Sequence, residues 1–377
     1  MKMLGVIVFI LCTFMMTLVA KASDNTSDDA SYEVYEEIMK ESEISKYIED
    51  IDEQLGKNNK SVEEMTKELI SNKDYGFSEF FAELLNGIKI DLGDYRKLIA
   101  ELLFVGFSAA LFSMVTMAFS KNNIGEYGFY AAYAILFGVV LTAFINASVL
   151  AVNLIKNVVS FMKVVAPGFA MAMVCAGNST YGTGVGQLLL IMCATMGLVF
   201  VNFLISGIRI YLVLGMSNSM LSTDKFSHLS SMIAKGVGWM MRTVFVFFCG
   251  LSILQKMFWP AFDSIKNTVV LKTMSVVPVV GTTMNAAGQT VLGAFMVLKG
   301  SIGTLAVLFL VSVSVVPILK VFLYYVSFNV AVIIIQPVCD KRFTKSIKVA
   351  AKAAGLLTCL MLVVVGLFII TLAIATG

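Results

Sequence analysis

Long apolar runs recur from residue 98 to the end of the chain, and several can cross a bilayer, which needs about 20 residues. They predict spans at 98–119, 128–152, 185–214, 236–254, 290–316, 318–336 and 354–376. An eighth segment at 157–176 is not among these seven, because Lys163 and Pro167 interrupt its apolar run. Counting it as a span is the alternative. The pattern therefore predicts an all-α, polytopic helical membrane protein with seven or eight spans.

The first 22 residues have the layout of an export signal. Lys2 supplies a short positive region, and Leu4 to Val19 is apolar throughout. Ala20-Lys21-Ala22 then gives the small-x-small pattern that precedes cleavage. We predict a signal peptide at 1–22, with an uncleaved membrane anchor as the alternative. Both interpretations place the following segment outside the cytoplasm.

Segment 23–97 combines many charges with helical apolar spacing. Ile44, Ile48, Ile51 and Leu55 recur on one helical face, and Ser61 with Glu64 forms a capping-box pattern. We expect a small helical extracytoplasmic domain at 23–97, followed by a transmembrane domain at 98–377.

Composition and charge support this division. Hydrophobic residues make up 58% of the chain and charged residues 14%, whereas soluble chains are about half apolar and a quarter charged. The segment 23–97 holds 20 acidic and 9 basic residues, and 98–377 holds 5 acidic and 17 basic. The basic residues stand singly between apolar runs, which is typical of membrane-surface anchors and not of nucleic-acid binding.

The positive-inside rule gives the orientation. The richest basic loop should be cytoplasmic; its members are Lys341, Arg342, Lys345, Lys348 and Lys352. Counting back through eight spans then places the acidic domain outside the cytoplasm, as the export signal requires. With seven spans, the middle of the topology changes.

A weak internal similarity bears on the middle spans. Pro167 precedes Gly177 by the same interval that separates Pro278 from Gly288. Each pair follows a lysine-bearing amphipathic stretch, as in broken helices or re-entrant hairpins of transporters. Chance similarity between short apolar segments is the alternative.

Residues with catalytic chemistry are few. His228 is the single histidine, and a lone loop histidine is more often a solvated surface group than a catalyst. The six cysteines show no CxxC or Cys/His spacing, and no Walker loop, HExxH or GxSxG motif occurs. We therefore predict a protein that is not an enzyme and has no metal or cofactor site.

Charged residues at membrane depth are the stronger candidates, because isolating a charge in lipid costs several kcal/mol. They are Glu101, Lys163, Arg242 and Lys299. The alternative for each is snorkelling at a span end. The polar residues within spans either form hydrogen bonds between helices or line a hydrated path; they are Asn146, Gln187, Asn202, Asn329 and Gln336. Gly182 and Gly186 form a GxxxG motif that permits close helix approach.

Two motifs near the C-terminus resemble the stage III sporulation protein AE family of endospore-forming bacteria. Val315-Val316-Pro317-Ile318-Leu319-Lys320 is similar to its proline–lysine pair, and Gln336-Pro337-Val338-Cys339-Asp340-Lys341-Arg342 is similar to its Q-P-x-x-D-K-R element. Pro278-Val279-Val280-Gly281, followed by Lys299-Gly300-Ser301-Ile302-Gly303, is similar to its middle signature. The layout matches along nearly the whole chain, while the specific motifs lie in the second half.

The departures from the family pattern are small: Cys339 and Phe343 replace smaller or aliphatic residues. The candidate functional or packing positions are Glu101, Arg242, Lys299, Pro278, Gly281, Pro317, Lys320, Gln336, Pro337, Asp340, Lys341 and Arg342. A structural role alone would explain the Q-P-x-x-D-K-R element, because Pro337 ends a helix and Lys341 and Arg342 fix the orientation of the next span in the membrane.

The resemblance implies a non-enzymatic, multi-pass subunit of the channel-like complex that links mother cell and forespore. Its implied partners are the other stage III A membrane proteins and a forespore-side protein that crosses the intermembrane space. The chain would lie in the mother-cell membrane facing the forespore. The alternative function is an autonomous secondary transporter with broken helices.

Overall fold

The computed structural model describes residues 93–118, 124–220, 226–274 and 280–376. Side chains are described at 93–111, 128–220, 226–259 and 300–376, apart from Ala109 and Ser301. The predicted signal peptide, the acidic segment up to residue 92, and Pro278 lie outside the described residues.

The described chain is helical throughout. In order, the elements are α1 (Gly93–Ala118), α2 (Ile124–Cys175), α3 (Ser179–Thr195), a π-helical segment (Met196–Leu204), α4 (Ile205–Met220), α5 (Ser227–Met274), α6 (Val280–Ile335) and α7 (Lys341–Thr376). No strand occurs in these ranges. Five segments are long and apolar enough to cross a membrane: Gly128–Cys175, Ser179–Met220, Ser227–Trp259, Ile302–Ile335 and Lys341–Thr376. The predicted all-α membrane fold is confirmed.

Two predicted boundaries between spans are absent. The structure joins 128–152 to 157–176 in α2, which continues through Pro167. It likewise joins 290–316 to 318–336 in α6, which continues through Pro317. A proline removes one backbone hydrogen bond, and packed neighbouring helices compensate for that loss within a membrane protein. The broken helix that was one alternative at Pro167 is therefore not found, and the helix break expected between two spans at Pro317 is absent.

The helix from Ser179 to Met220 changes its winding near its middle. Its π-helical segment has buried side chains at Met196, Phe200 and Leu204, four residues apart. Side chains four residues apart lie on one side of a helix, so these three continue the buried face of α3, which ends with Met192 and Cys193, into α4, where Ile205 and Ile208 are buried.

The last helix forms the centre of the bundle. α7 packs against α2, α4, α5 and α6, most extensively against α6. Leu357, Leu360, Val364 and Phe368 have 0% exposed surface. A helix that is apolar on all sides is stable only when other helices or lipid surround it, and α7 occupies the protein interior.

A tight turn joins α2 and α3 into a helical hairpin. Gly177 has φ 85°, a left-handed conformation that glycine adopts without the penalty imposed by a Cβ. Its amide donates to the Val174 carbonyl, and the Asn178 amide donates to the Met173 carbonyl, which closes the end of α2.

The predicted GxxxG motif lies at the crossing of this hairpin. A Cβ on Gly182 would lie 2.8 Å from the Met173 Cβ and 2.9 Å from the Ala170 carbonyl oxygen. A Cβ on Gly186 would lie 2.7 Å from the Ala170 Cβ. The absence of side chains at both positions therefore allows α3 to approach the backbone of α2.

Side-chain contacts define the relative directions of the long helices. Tyr133 of α2 meets Ser346 near the start of α7, and Phe169 lies with Thr376 around Gly303. α2 and α7 are therefore parallel. α6 runs the opposite way. Its Gly303 lies beside Phe169, and the later residue Phe309 stacks on the earlier residue Phe161, with the ring centroids 4.2 Å apart.

Candidate functional site

The Q-P-x-x-D-K-R element forms the turn between α6 and α7. Asp340 caps the start of α7: its Oδ1 accepts from the Arg342 amide at 2.9 Å, and its carbonyl accepts from the Thr344 hydroxyl at 3.1 Å. Asp340 Oδ1 also lies 4.0 Å from Arg342 Nε. Aspartate is a favoured N-cap because its carboxylate binds amides that have no partner within the helix. Asp340 therefore fixes where the last helix begins.

The turn is held against α1 by Cys339. Its thiol donates to the Gly106 carbonyl at a sulfur–oxygen distance of 2.9 Å. Ile335 lies 3.1 Å from the place where a Cβ on Gly106 would be, so a larger residue there would displace it. Burial, and secondarily the negative charge of Asp340, raises the pKa of the Cys339 thiol. The thiol form that makes this hydrogen bond is therefore favoured.

Arg342 joins the turn to an aromatic cluster formed by Phe129 and Tyr133 of α2 and Phe343 of α7. Its guanidinium carbon lies 4.5 Å from the centroid of the Phe129 ring, a cation–π contact. Phe343 meets Phe129 edge-on at 5.2 Å and Tyr133 at 5.8 Å. Gln336, Pro337 and Lys341 are exposed. The element thus has one anchored side and one exposed side.

Tyr133 links three helices at the same end of the bundle. Its hydroxyl lies 2.5 Å from the Met216 carbonyl of α4 and 2.6 Å from the Ser346 hydroxyl of α7. Tyr133 is 2% exposed and Ser346 is 0% exposed. Buried polar groups without partners are costly, so this contact stabilises the packing of α2, α4 and α7.

The proline–lysine pair lies on α6 beside the first turn of α1. The Tyr95 hydroxyl donates to the Lys320 carbonyl at 3.2 Å, and the Tyr95 and Tyr324 rings are 5.1 Å apart. Asn146 of α2 hydrogen-bonds to Tyr324. Lys320 and Pro317 are half-buried. In this part of α6, polar side chains of α1 and α2 contact it: Tyr95 from α1 and Asn146 from α2.

The other predicted positions lie neither at the turn between α6 and α7 nor beside the proline–lysine pair. Glu101 and Arg242 are exposed, and Arg242 lies near Cys359 of α7. Lys299 and Gly281 lie on α6, with side chains outside the described set. Among the described residues, no group of three or more His, Cys, Asp and Glu side chains is placed to hold a metal ion.

Arg209 is a charged residue that the sequence analysis missed. It lies on α4, and its Nε donates to the hydroxyl of Ser148 on α2 at 3.4 Å. Lys352 of α7 lies 5.5 Å above the ring of Tyr211, two residues further along α4. The available signal was an arginine within the apolar run 198–214, but its position near a predicted span end resembled simple anchoring.

These features define the protein as a polytopic, all-helical membrane protein with a docked, basic turn before its last helix. The model of the family described as stage III sporulation protein AE matches residues 60–377, and the chain belongs to that family. The stage III sporulation protein AE of Bacillus subtilis (strain 168) is 23% identical over 263 residues. The match covers 69% of this chain and 64% of that relative, which is less than two thirds of its length. No solved structure matches the chain.

Proposed function

We propose that the chain is a non-enzymatic membrane subunit of a channel-like or secretion-like complex between mother cell and forespore. The family match over residues 60–377 carries this proposal. Its place would be the mother-cell membrane facing the forespore, with the acidic N-terminal domain in the intermembrane space. The other stage III A membrane proteins and a forespore-side protein would be its partners.

Two features of the chain support a subunit over an autonomous transporter. Transporters of that type use broken helices around a midplane site, whereas α2 continues through Pro167. The exposed side of the turn between α6 and α7 combines Gln336, Pro337 and Lys341 with an anchored capping aspartate. A rigid, exposed polar turn is suited to contact with another protein, and a subunit role of this kind requires no substrate site.

The test is deletion of the gene in the sporulating host, with complementation restricted to one compartment. We expect engulfed forespores that fail to mature, and recovery of heat-resistant spores when the chain is expressed in the mother cell only. Normal spore counts after deletion would contradict the proposal, as would recovery from expression in the forespore only.

A second measurement separates subunit from transporter. Affinity-tagged chain from sporulating membranes should carry other stage III A proteins, while the same tag on an unrelated polytopic protein should not. The double variant Gln336→Ala and Lys341→Ala should reach the membrane at normal levels yet recover less partner. Recovery of the chain alone, with uptake of a solute against its concentration gradient after reconstitution by itself, would favour the transporter.

A further inference from the structure

One exposed face of α2 is polar where a membrane helix is expected to be apolar. It is termed here the polar face of α2, and its members are Thr142, Asn146, Asn153, Lys156, Ser160 and Lys163. Their spacing of three, four or seven residues places them on one side of the helix. All are exposed except Ser160, which is half-exposed. From Thr142 to Lys163 the helix rises about 32 Å, close to the roughly 30 Å of a bilayer's hydrocarbon core.

The rest of this exposed side of α2 is apolar. Ala134 and Ile135 precede the polar face, Ile145 and Val149 lie between its first members, and Met171 and Val174 follow it, all exposed. A helix that faces lipid has the reverse arrangement, with apolar residues at the centre and polar residues at both ends. The position of the polar residues therefore does not suit a lipid-facing surface.

Neighbouring helices at the same depth present apolar side chains to the outside. The Cys193 thiol of α3 contacts the Val159 carbonyl of α2 at 3.9 Å, which places that part of α3 beside the polar face. The exposed residues of α3 there include Leu190, Ile191 and Leu198. The bundle thus has an apolar side and a polar side at one depth.

α5 gives the same result from another direction. Its Ser252 hydroxyl lies 3.2 Å from Thr371 of α7, which in turn contacts Met192 of α3 at 3.6 Å. Near this level Phe247, Ile253 and Leu254 of α5 are exposed. The exposed side chains of α3 and α5 are therefore suited to contact with lipid, and those of the polar face of α2 are not.

The charge of the polar face indicates what occupies it. A lysine at the bilayer centre costs about 2.5–3.5 kcal/mol when it faces lipid. Within the described ranges, neither Lys156 nor Lys163 forms an ion pair with a carboxylate. Arg209, hydrogen-bonded to Ser148, adds a third cation at one edge. A second copy packed face to face would oppose like charges, whereas water solvates them without that penalty.

We propose that the polar face of α2 lines a water-filled path through the membrane, and that its cations favour small anions. The proposal goes beyond a subunit role, because it assigns a permeation surface to this chain itself. It stands on the packing of the described helices, so it holds or fails independently of the sporulation partners.

Single-cysteine labelling in sporulating cells tests the path. Cysteines replace Asn146, Asn153 or Ser160, in a background where the native cysteines are serine. Matched controls place cysteine at Ile191 and Leu198 of α3 and at Ile253 of α5. Three reagents are compared: anionic MTSES, cationic MTSET and membrane-permeable N-ethylmaleimide. If that background lowers membrane content, only Cys175 is replaced, because it is the exposed one among the five described cysteines.

We expect both charged reagents to label the three polar-face cysteines and to spare the α3 and α5 controls. After normalisation to a free thiol, MTSES should react about tenfold faster than MTSET. The double variant Lys156→Gln and Lys163→Gln should bring the two rates towards equality. Labelling by N-ethylmaleimide alone would mean lipid contact, and protection from all three reagents would mean protein contact. Either result overturns the path, and equal rates before the lysine substitutions overturn the anion preference. Spore counts are scored separately, so loss of sporulation does not affect this outcome.

Discussion

The α2–α3 hairpin allows a quantitative test of close helix packing. In Gly182→Ala the new methyl would lie within 3 Å of the Met173 Cβ and of the Ala170 carbonyl oxygen. The carbonyl is backbone, so it cannot move without shifting the helix. Overpacking of this kind costs about 1–3 kcal/mol, partly offset by about 0.5–1 kcal/mol from the better helix propensity of alanine.

Gly138→Ala is the matched control, because it lies in α2 and a Cβ there meets nothing within 4 Å. Both variants gain the same propensity contribution, so the difference between them isolates packing and should be about 1–3 kcal/mol. At about 2–4 °C per kcal/mol, Gly182→Ala should melt several degrees below Gly138→Ala.

The assay is the fraction of detergent-purified protein that remains monodisperse on size exclusion after heating across a temperature series. Gly186→Ala, whose methyl would meet Ala170 at 2.7 Å, should behave like Gly182→Ala. Equal midpoints for Gly182→Ala and Gly138→Ala would refute the close helix approach and the packing role of the GxxxG motif.

Three further predictions concern the end of the bundle where α7 begins. Tyr133→Phe leaves the Met216 carbonyl without its hydroxyl donor and should destabilise the protein by about 1–3 kcal/mol in the same heating assay, while Tyr130→Phe, at a 38% exposed position, should not. Asp340→Ala should lose about 0.5–2 kcal/mol through the missing cap, and Asp340→Asn should retain most of it; equal losses would argue against capping. Since the pKa of Cys339 is raised, its maleimide labelling should accelerate at a higher pH in folded than in urea-unfolded protein, as measured by mass spectrometry; coincident pH profiles would contradict the burial argument.

The apolar runs were sufficient to predict the helical membrane fold, because lipid leaves few alternatives to helices for backbone hydrogen bonds. They were not sufficient to predict that α2 continues through Pro167 and α6 through Pro317. Whether a proline breaks a helix depends on the neighbours that compensate for its missing hydrogen bond, and those neighbours are distant in sequence. Gly182 and Gly186 predicted a close approach, but the residues they approach, Ala170 and Met173, emerge only once the turn at Gly177 is in place.

The same limit explains which polar residues were recognised. Asn146 is polar within an apolar run, so it was a candidate for hydrogen bonding or for a hydrated path from the sequence alone. Tyr133 was not, because a tyrosine among alanines and leucines has no local feature that separates a buried hydroxyl linking three helices from an interfacial one. The polar face of α2 shows the difference most clearly. Lys163 was a candidate as a charge at membrane depth, whereas Asn153 and Lys156 were not. The three form one exposed surface only because burial of the opposite side of α2 fixes the rotation of the helix. A sequence pattern gives the spacing of such a face, while packing against α3, α6 and α7 determines the direction in which it points.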